Sequence, residues 1–173
     1  MAGMHKDMTG SAVALATFEY LVKQKVNFEV TAYLALAENL ISPHASRPND
    51  LVFASNGTSV ELVDTDAEGR LVLADTLVMA SEQKPNLILD FATLTGAAVR
   101  SLDTRISAVF SNDDSWLKKA VDIGKISGER TWGFPIGGDY WKKLKSEVAD
   151  IKQCNSAPNA DHIYAATFLS HFV

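Results

Sequence analysis

The chain has 173 residues, 47% of them hydrophobic and 21% charged, with a formal net charge of -5. That length predicts one domain with room for a core. The acidic balance argues against nucleic acid and against an anionic membrane surface as partners, and no apolar run approaches the roughly 18 residues that span a bilayer.

Residues 11–24 are rich in alanine, with Leu15, Phe18 and Val22 near helical spacing, and predict a helix. Residues 27–37 predict a strand whose later half is apolar on both parities, as in a strand covered on both faces. Pro43 and Pro48 mark 42–50 as a loop. Residues 51–54 and 59–63 flank Asn56-Gly57, a hairpin signal. A helix is expected over 71–80, a buried strand over 86–92 and a shorter strand over 106–110. Residues 114–126 predict a helix with Asp113 or Asp114 near its cap, and 138–145 and 165–173 read as further helices. Trp116, Trp132 and Trp141, with Phe134, are expected in the core or at a subunit interface. Strands alternating with helices predict an α/β fold: a mostly parallel sheet with helices on both faces, in three layers. In such sheets ligands sit beyond the carboxyl ends of the strands, where 66–70 and 93–96 both fit.

The run Asp64-Thr65-Asp66-Ala67-Glu68-Gly69-Arg70-Leu71 carries the chemistry. In an extended segment residues two apart face the same side, which would bring Asp66, Glu68 and Arg70 together. Two converging carboxylates repel unless a cation lies between them or one takes a proton. Oxygen donors of this kind suit Mg, Mn or Zn, and a guanidinium beside them suits an anion. The plainer alternative is a solvated loop in which Glu68 caps the following helix. Asp7, ahead of an alanine-rich helix, could likewise be only a cap.

The longer strings bear on that choice. Thr65 to Leu71 closely resembles the leucyl aminopeptidase (cytosol aminopeptidase) signature Asn-Thr-Asp-Ala-Glu-Gly-Arg-Leu, with Asp64 where asparagine is typical. Asp90-Phe91-Ala92-Thr93-Leu94-Thr95-Gly96-Ala97-Ala98 and Met4-His5-Lys6-Asp7-Met8-Thr9-Gly10-Ser11-Ala12 resemble two further motifs of that family, in the family's order. Glu38 to Ser42 and Phe168 to Val173 resemble the bacterial peptidase B branch in particular.

The resemblance implies a metal-dependent aminopeptidase that removes leucine-like N-terminal residues with a water activated by two metals. Asp7, Asp66 and Glu68 would be metal ligands, for Mn or Zn, with Mg as an alternative. Arg70, as a catalytic residue, would hold a bicarbonate ion. Met4, Thr93 and Gly96 would line the pocket for the N-terminal side chain, and the backbone at Leu94 would hold the peptide. The family also uses a glycine-rich segment with two lysines and a bridging aspartate, which this sequence lacks. Residues 1–173 therefore read as a partial C-terminal catalytic domain, without the N-terminal domain or the start and end of the catalytic domain. The alternative is a catalytically inactive fragment or degenerate paralogue that retains fold and assembly surfaces. A homo-oligomer, a hexamer, is implied, acting on peptide substrates.

Other constellations are weaker. His5, His44, His162 and His171 show no paired metal spacing, and Cys154 with His162 makes no cysteine-protease signature. The single cysteine forms no internal disulfide, and the first residues lack the basic-then-apolar order of a signal peptide. A cytoplasmic location is the expectation.

Overall fold

The computed structural model describes residues 3–157 and 159–173. A 3-10 turn, Met4–Met8, leads into helix α1, Thr9–Lys23. Strands β1, Leu51–Phe53, and β2, Ser59–Glu61, form an antiparallel hairpin with Leu51 opposite Glu61. Its turn closes through Gly57 N–H to the Ala54 carbonyl at 2.8 Å, and Gly57 has a φ of 88°, which suits a residue without a side chain. Helix α2 follows, Gly69–Glu82, then α3, Gly96–Leu102, and strand β3, Ser107–Val109. Helix α4, Asp114–Ser127, starts at Asp113, whose carboxylate accepts from Ser115 N–H at 2.7 Å. Those bonds to Ser115 hold the Asp113 carboxyl below the usual carboxylate range. Strand β4, Thr131–Gly133, pairs parallel with β3. Strand β5, Ile151–Lys152, pairs parallel with β2, and helix α5, Asp161–Leu169, closes the order with a 3-10 turn, Ser170–Phe172. The fold is α/β, with small, mostly parallel sheets flanked by helices.

The core lies where α2 and α5 meet the β1–β2–β5 sheet. Val60, Leu62, Leu77, Leu144, Ile151 and Phe168 are all buried there. Helix α2 buries Arg70, Ala74, Leu77 and Val78, a stripe at i, i+4, i+7 and i+8. Helix α5 buries six of its nine residues, as befits a helix enclosed on most sides. Each enclosed Leu, Ile or Phe side chain contributes about 1.5–3 kcal/mol. Side chains lock β5 in place: Asp150 accepts from Ser59 N–H at 2.8 Å, and Ser146 Oγ donates to Glu61 Oε2.

Several sequence expectations need correction. Residues 27–37 and 86–92 do not form strands among the described residues. Leu36 is 62% exposed and Leu89 is 66% exposed, so the apolar runs that read as buried strands have no ladder beside them. The predicted helix over 138–145 is a short 3-10 helix, Gly138–Lys143, which closes with Leu144 N–H on the Trp141 carbonyl. The last helix begins at Asp161, four residues early, and tightens into its 3-10 turn after Leu169. Trp141 packs on the core, but Trp132 is 56% exposed.

Candidate functional site

The segment from Asp64 to Arg70 is not extended. Asp64 is extended, and its carboxylate accepts from Asp66 N–H at 3.0 Å, which starts a 3-10 turn over Thr65–Ala67. An acceptor oxygen is all this cap requires, so aspartate serves where asparagine is typical of the resembling signature. Glu68 then stands at the head of α2. In a helical turn residues two apart do not face each other. The alternation that brought Asp66, Glu68 and Arg70 together on paper therefore does not operate here. Asp66 is exposed, Glu68 is half-buried, and Arg70 is buried. Glu68 Oε1 accepts from Asn39 Nδ2 at 3.3 Å, which ties the 26–42 segment to this turn.

One buried side chain holds the turn from below. Gln153, 1% exposed, accepts at Oε1 from Val63 N–H (3.0 Å) and Asp64 N–H (3.1 Å), and donates from Nε2 to the Ala67 carbonyl (3.0 Å). Its own N–H bonds Glu61 in the β2–β5 ladder. Three of the four hydrogen-bonding positions of the amide are thus committed to the carboxylate-bearing segment.

Arg70 points inward. It is 2% exposed, its Nη1 donates to the Gln153 carbonyl at 3.3 Å, and its Nη2 reaches both carboxylate oxygens of Asp161 at 3.3 and 3.1 Å. Nε has no partner among the described residues. The Leu71 amide, a conceivable donor to a substrate carbonyl, already bonds the Glu68 carbonyl at 2.9 Å.

The other group of predicted residues meets elsewhere. Thr93 Oγ1 lies 2.8 Å from Asp7 Oδ1 and 2.9 Å from the Asp7 carbonyl. Gly10 makes this meeting possible, since a β-carbon there would overlap the Phe91 carbonyl. Two motifs 86 positions apart are thereby joined. Met4 shares the 3-10 turn of Asp7 and is exposed, Leu94 packs against the core, and Gly96 opens α3.

The candidate residues thus fall into two sets, Asp66–Glu68–Arg70 and Met4–Asp7–Thr93. Among the described residues no three His, Cys, Asp or Glu side chains stand where they could share a metal ion. The carboxylates have the right chemistry for a hard dication, but they do not close a ligand set. Among the described residues these side chains do not by themselves complete a two-metal centre.

Burial pushes the Cys154 thiol up, against the lowering field of Arg70, and so disfavours the thiolate. His162 is buried edge-on to Phe134 (ring centroids 4.6 Å apart), and neither ring nitrogen has a partner among the described residues. Among the described residues no histidine–cysteine hydrogen bond reaches Cys154.

Sequence reasoning missed Gln153, Asp161 and Asn39. The hydrogen bonds of Gln153 span 86 to 90 positions, and no local pattern announces a contact that distant. For Asp161 the only available signal was generic: a buried arginine on the core stripe of α2 needs an acid somewhere.

Residues 1–173 match the sequence profile of the cytosol aminopeptidase family, catalytic domain. A probable cytosol aminopeptidase of Leifsonia xyli subsp. xyli is 45% identical over 174 residues, covering 100% of this chain and 35% of the relative. One from Azotobacter vinelandii is 41% identical over 172 residues, covering 99% of this chain and 34% of the relative. A third, from Parasynechococcus marenigrum, is 43% identical over 98% of this chain and 35% of its own length. The chain spans about a third of the length of the curated relatives it matches. Among the described residues no helix is long and apolar enough to cross a membrane.

Proposed function

The chain belongs to the cytosol aminopeptidase family, and from that premise we propose that residues 1–173 are a partial C-terminal catalytic domain serving a metal-dependent aminopeptidase. The substrates are peptides that lose a leucine-like N-terminal residue. The observation that carries this reading is the Asp64–Arg70 segment, matched to the family within a whole-chain similarity and fixed from beneath by Gln153.

Asp7, Asp66 and Glu68 are the carboxylates proposed as metal ligands, for Mn or Zn, with Mg as the alternative. They do not form a closed set here, so no step is derived through a metal. Met4, Thr93 and Gly96 are proposed to line the side-chain pocket, and the Leu94 backbone, anchored against the core, to hold the peptide. Thr93 is already oriented by Asp7, which links the proposed pocket to a proposed ligand. Arg70 is the proposed catalytic cation. A bicarbonate ion at Arg70, which the family resemblance implies, does not fit: both Nη groups are engaged internally and the side chain is buried. A cytoplasmic homo-hexamer is part of the same proposal, and the exposed Trp132 and the uncovered α1 are available for assembly.

The open ligand set favours a second reading for the chain by itself, that it retains the fold without hydrolysing anything. Turnover of a leucyl chromogenic amide with added Mn or Zn separates the two. The expected result is little or no turnover by the 173-residue chain, and turnover once the rest of the peptidase domain is supplied, abolished by Asp66→Asn and by Glu68→Gln. Turnover that survives both substitutions would overturn the assignment of this segment.

A further inference from the structure

The Arg70–Asp161 pair changes what the cationic centre can bind. A desolvated guanidinium is tolerable only when its charge is matched close by. Here the match is internal. Asp161 reaches Nη2 with both oxygens, Gln153 takes one hydrogen of Nη1, and among the described residues Nε is the one guanidinium nitrogen without a partner. The Arg70 side chain is 2% exposed and that of Asp161 27%, so the pair meets solvent through the carboxylate side.

We propose that Asp161 is the resident counter-anion of Arg70, and that this centre takes up no exchangeable anion such as bicarbonate from solution. The inference rests on reading Arg70 as the cationic residue of the site. Three physical arguments support it. An external anion would have to displace a carboxylate carried on a helix whose other end, Phe168 and Leu169, is locked in the core. Such a tethered group competes at an effective concentration of about millimolar or more. Asp161 lies in the first turn of α5, where the helix dipole favours a negative side chain. A second anion would also meet the field of the Asp161 carboxylate, which already lies 3.1 Å from Nη2. Asp161 is thus a positioning residue: it holds the guanidinium neutralised and oriented without touching substrate.

The test is a bicarbonate titration of the 173-residue chain followed by the Arg70 Nε–Hε resonance in NMR. In the unsubstituted protein that resonance should stay in place through the millimolar range. In Asp161→Ala it should shift saturably, with a midpoint at least about tenfold lower than any found for the unsubstituted chain, corresponding to roughly 1.4 kcal/mol. A saturable shift in the unsubstituted protein with the midpoint of the variant overturns the proposal. So does a folded Asp161→Ala protein whose Arg70 ignores bicarbonate. Should the variant fail to fold, the unsubstituted titration still decides, since any saturable millimolar response at Arg70 refutes an internally closed centre and its lack supports one. The titration reads anion occupancy and not hydrolysis. Its failure is therefore distinguishable from failure of the aminopeptidase reading, which the Asp66 and Glu68 variants test.

Discussion

Helices α1 and α5 are both rich in apolar residues, yet they end up in opposite environments. None of the 15 residues of α1 is buried, whereas α5 buries six of nine. The difference lies in what stands beside them. Helix α5 is enclosed by α2, α3 and the 3-10 helix Gly138–Lys143. Helix α1 is fastened chiefly where Gly10 passes the Phe91 carbonyl and Asp7 meets Thr93. Apolar sequence supplies the drive to be covered, but only a neighbour of matching shape converts it into stability. The candidate site straddles the two regimes, with Asp66 and Glu68 on the packed side and Asp7 and Met4 on the uncovered side.

The sharpest way to break this contrast is to truncate one aromatic on each helix. We predict that Phe168→Ala, which empties a fully buried position, costs about 3–5 kcal/mol in denaturant unfolding. Tyr20→Ala, at a 61% exposed position on α1, should stay within about 0.5 kcal/mol. Equal losses would mean that α1 is covered in solution. Next in size is Gln153→Met, which strands the part-buried N–H groups of Val63 and Asp64 and the Ala67 carbonyl and should cost about 1–3 kcal/mol in all. Amide exchange should accelerate over 63–68 and leave α1 untouched, and exchange unchanged over 63–68 would show that another contact holds the turn.

Gly10→Ala should do the converse at about 1–3 kcal/mol, loosening α1 and the Asp7–Thr93 contact while exchange protection across α2 and α5 persists. Global destabilisation by that change would erase the distinction between the regions. The smallest expected effect is a pH dependence confined to the packed side. Burial pushes the His162 imidazole below its ordinary 6.5, and nearby Arg100 adds to this, while Asp161 opposes it. The unfolded chain therefore binds this proton more readily than the folded one. The His162 contribution is complete above its ordinary 6.5 and is lost as pH falls from there through the lower value of the folded state. His162→Phe should flatten that limb of the stability–pH curve, and a limb of unchanged slope would assign it to other groups.

Much of this was legible in the sequence wherever the determinant was local. The α1, α2 and α4 helices followed from periodicity, the Asp113 cap from its type and place, and the β1–β2 hairpin from Asn56-Gly57. Residues 27–37 and 86–92 misled because an apolar run specifies the wish for a partner, not its presence. The Asp66–Glu68 geometry misled for a different reason: Asp64 caps the segment into a helical turn, and this reset the direction of every side chain after it. Gln153 and Asp161 were invisible because their partners lie 83 to 91 positions earlier.

That separation has a consequence for how the protein is made. The carboxylate-bearing turn is emitted from the ribosome well before the amide that secures it. During synthesis, at about 5–20 residues per second, residues 63–70 must wait several seconds for position 153 to emerge. Until then Arg70 has neither Asp161 nor the Gln153 carbonyl, and a nascent chain lacking residues 153–161 would carry an unanswered charge on the face of α2 meant for the interior. The candidate turn therefore becomes itself only after residue 161 has emerged, and slowing translation beyond residue 150 should prolong its vulnerability to proteases more than that of the neighbouring hairpin.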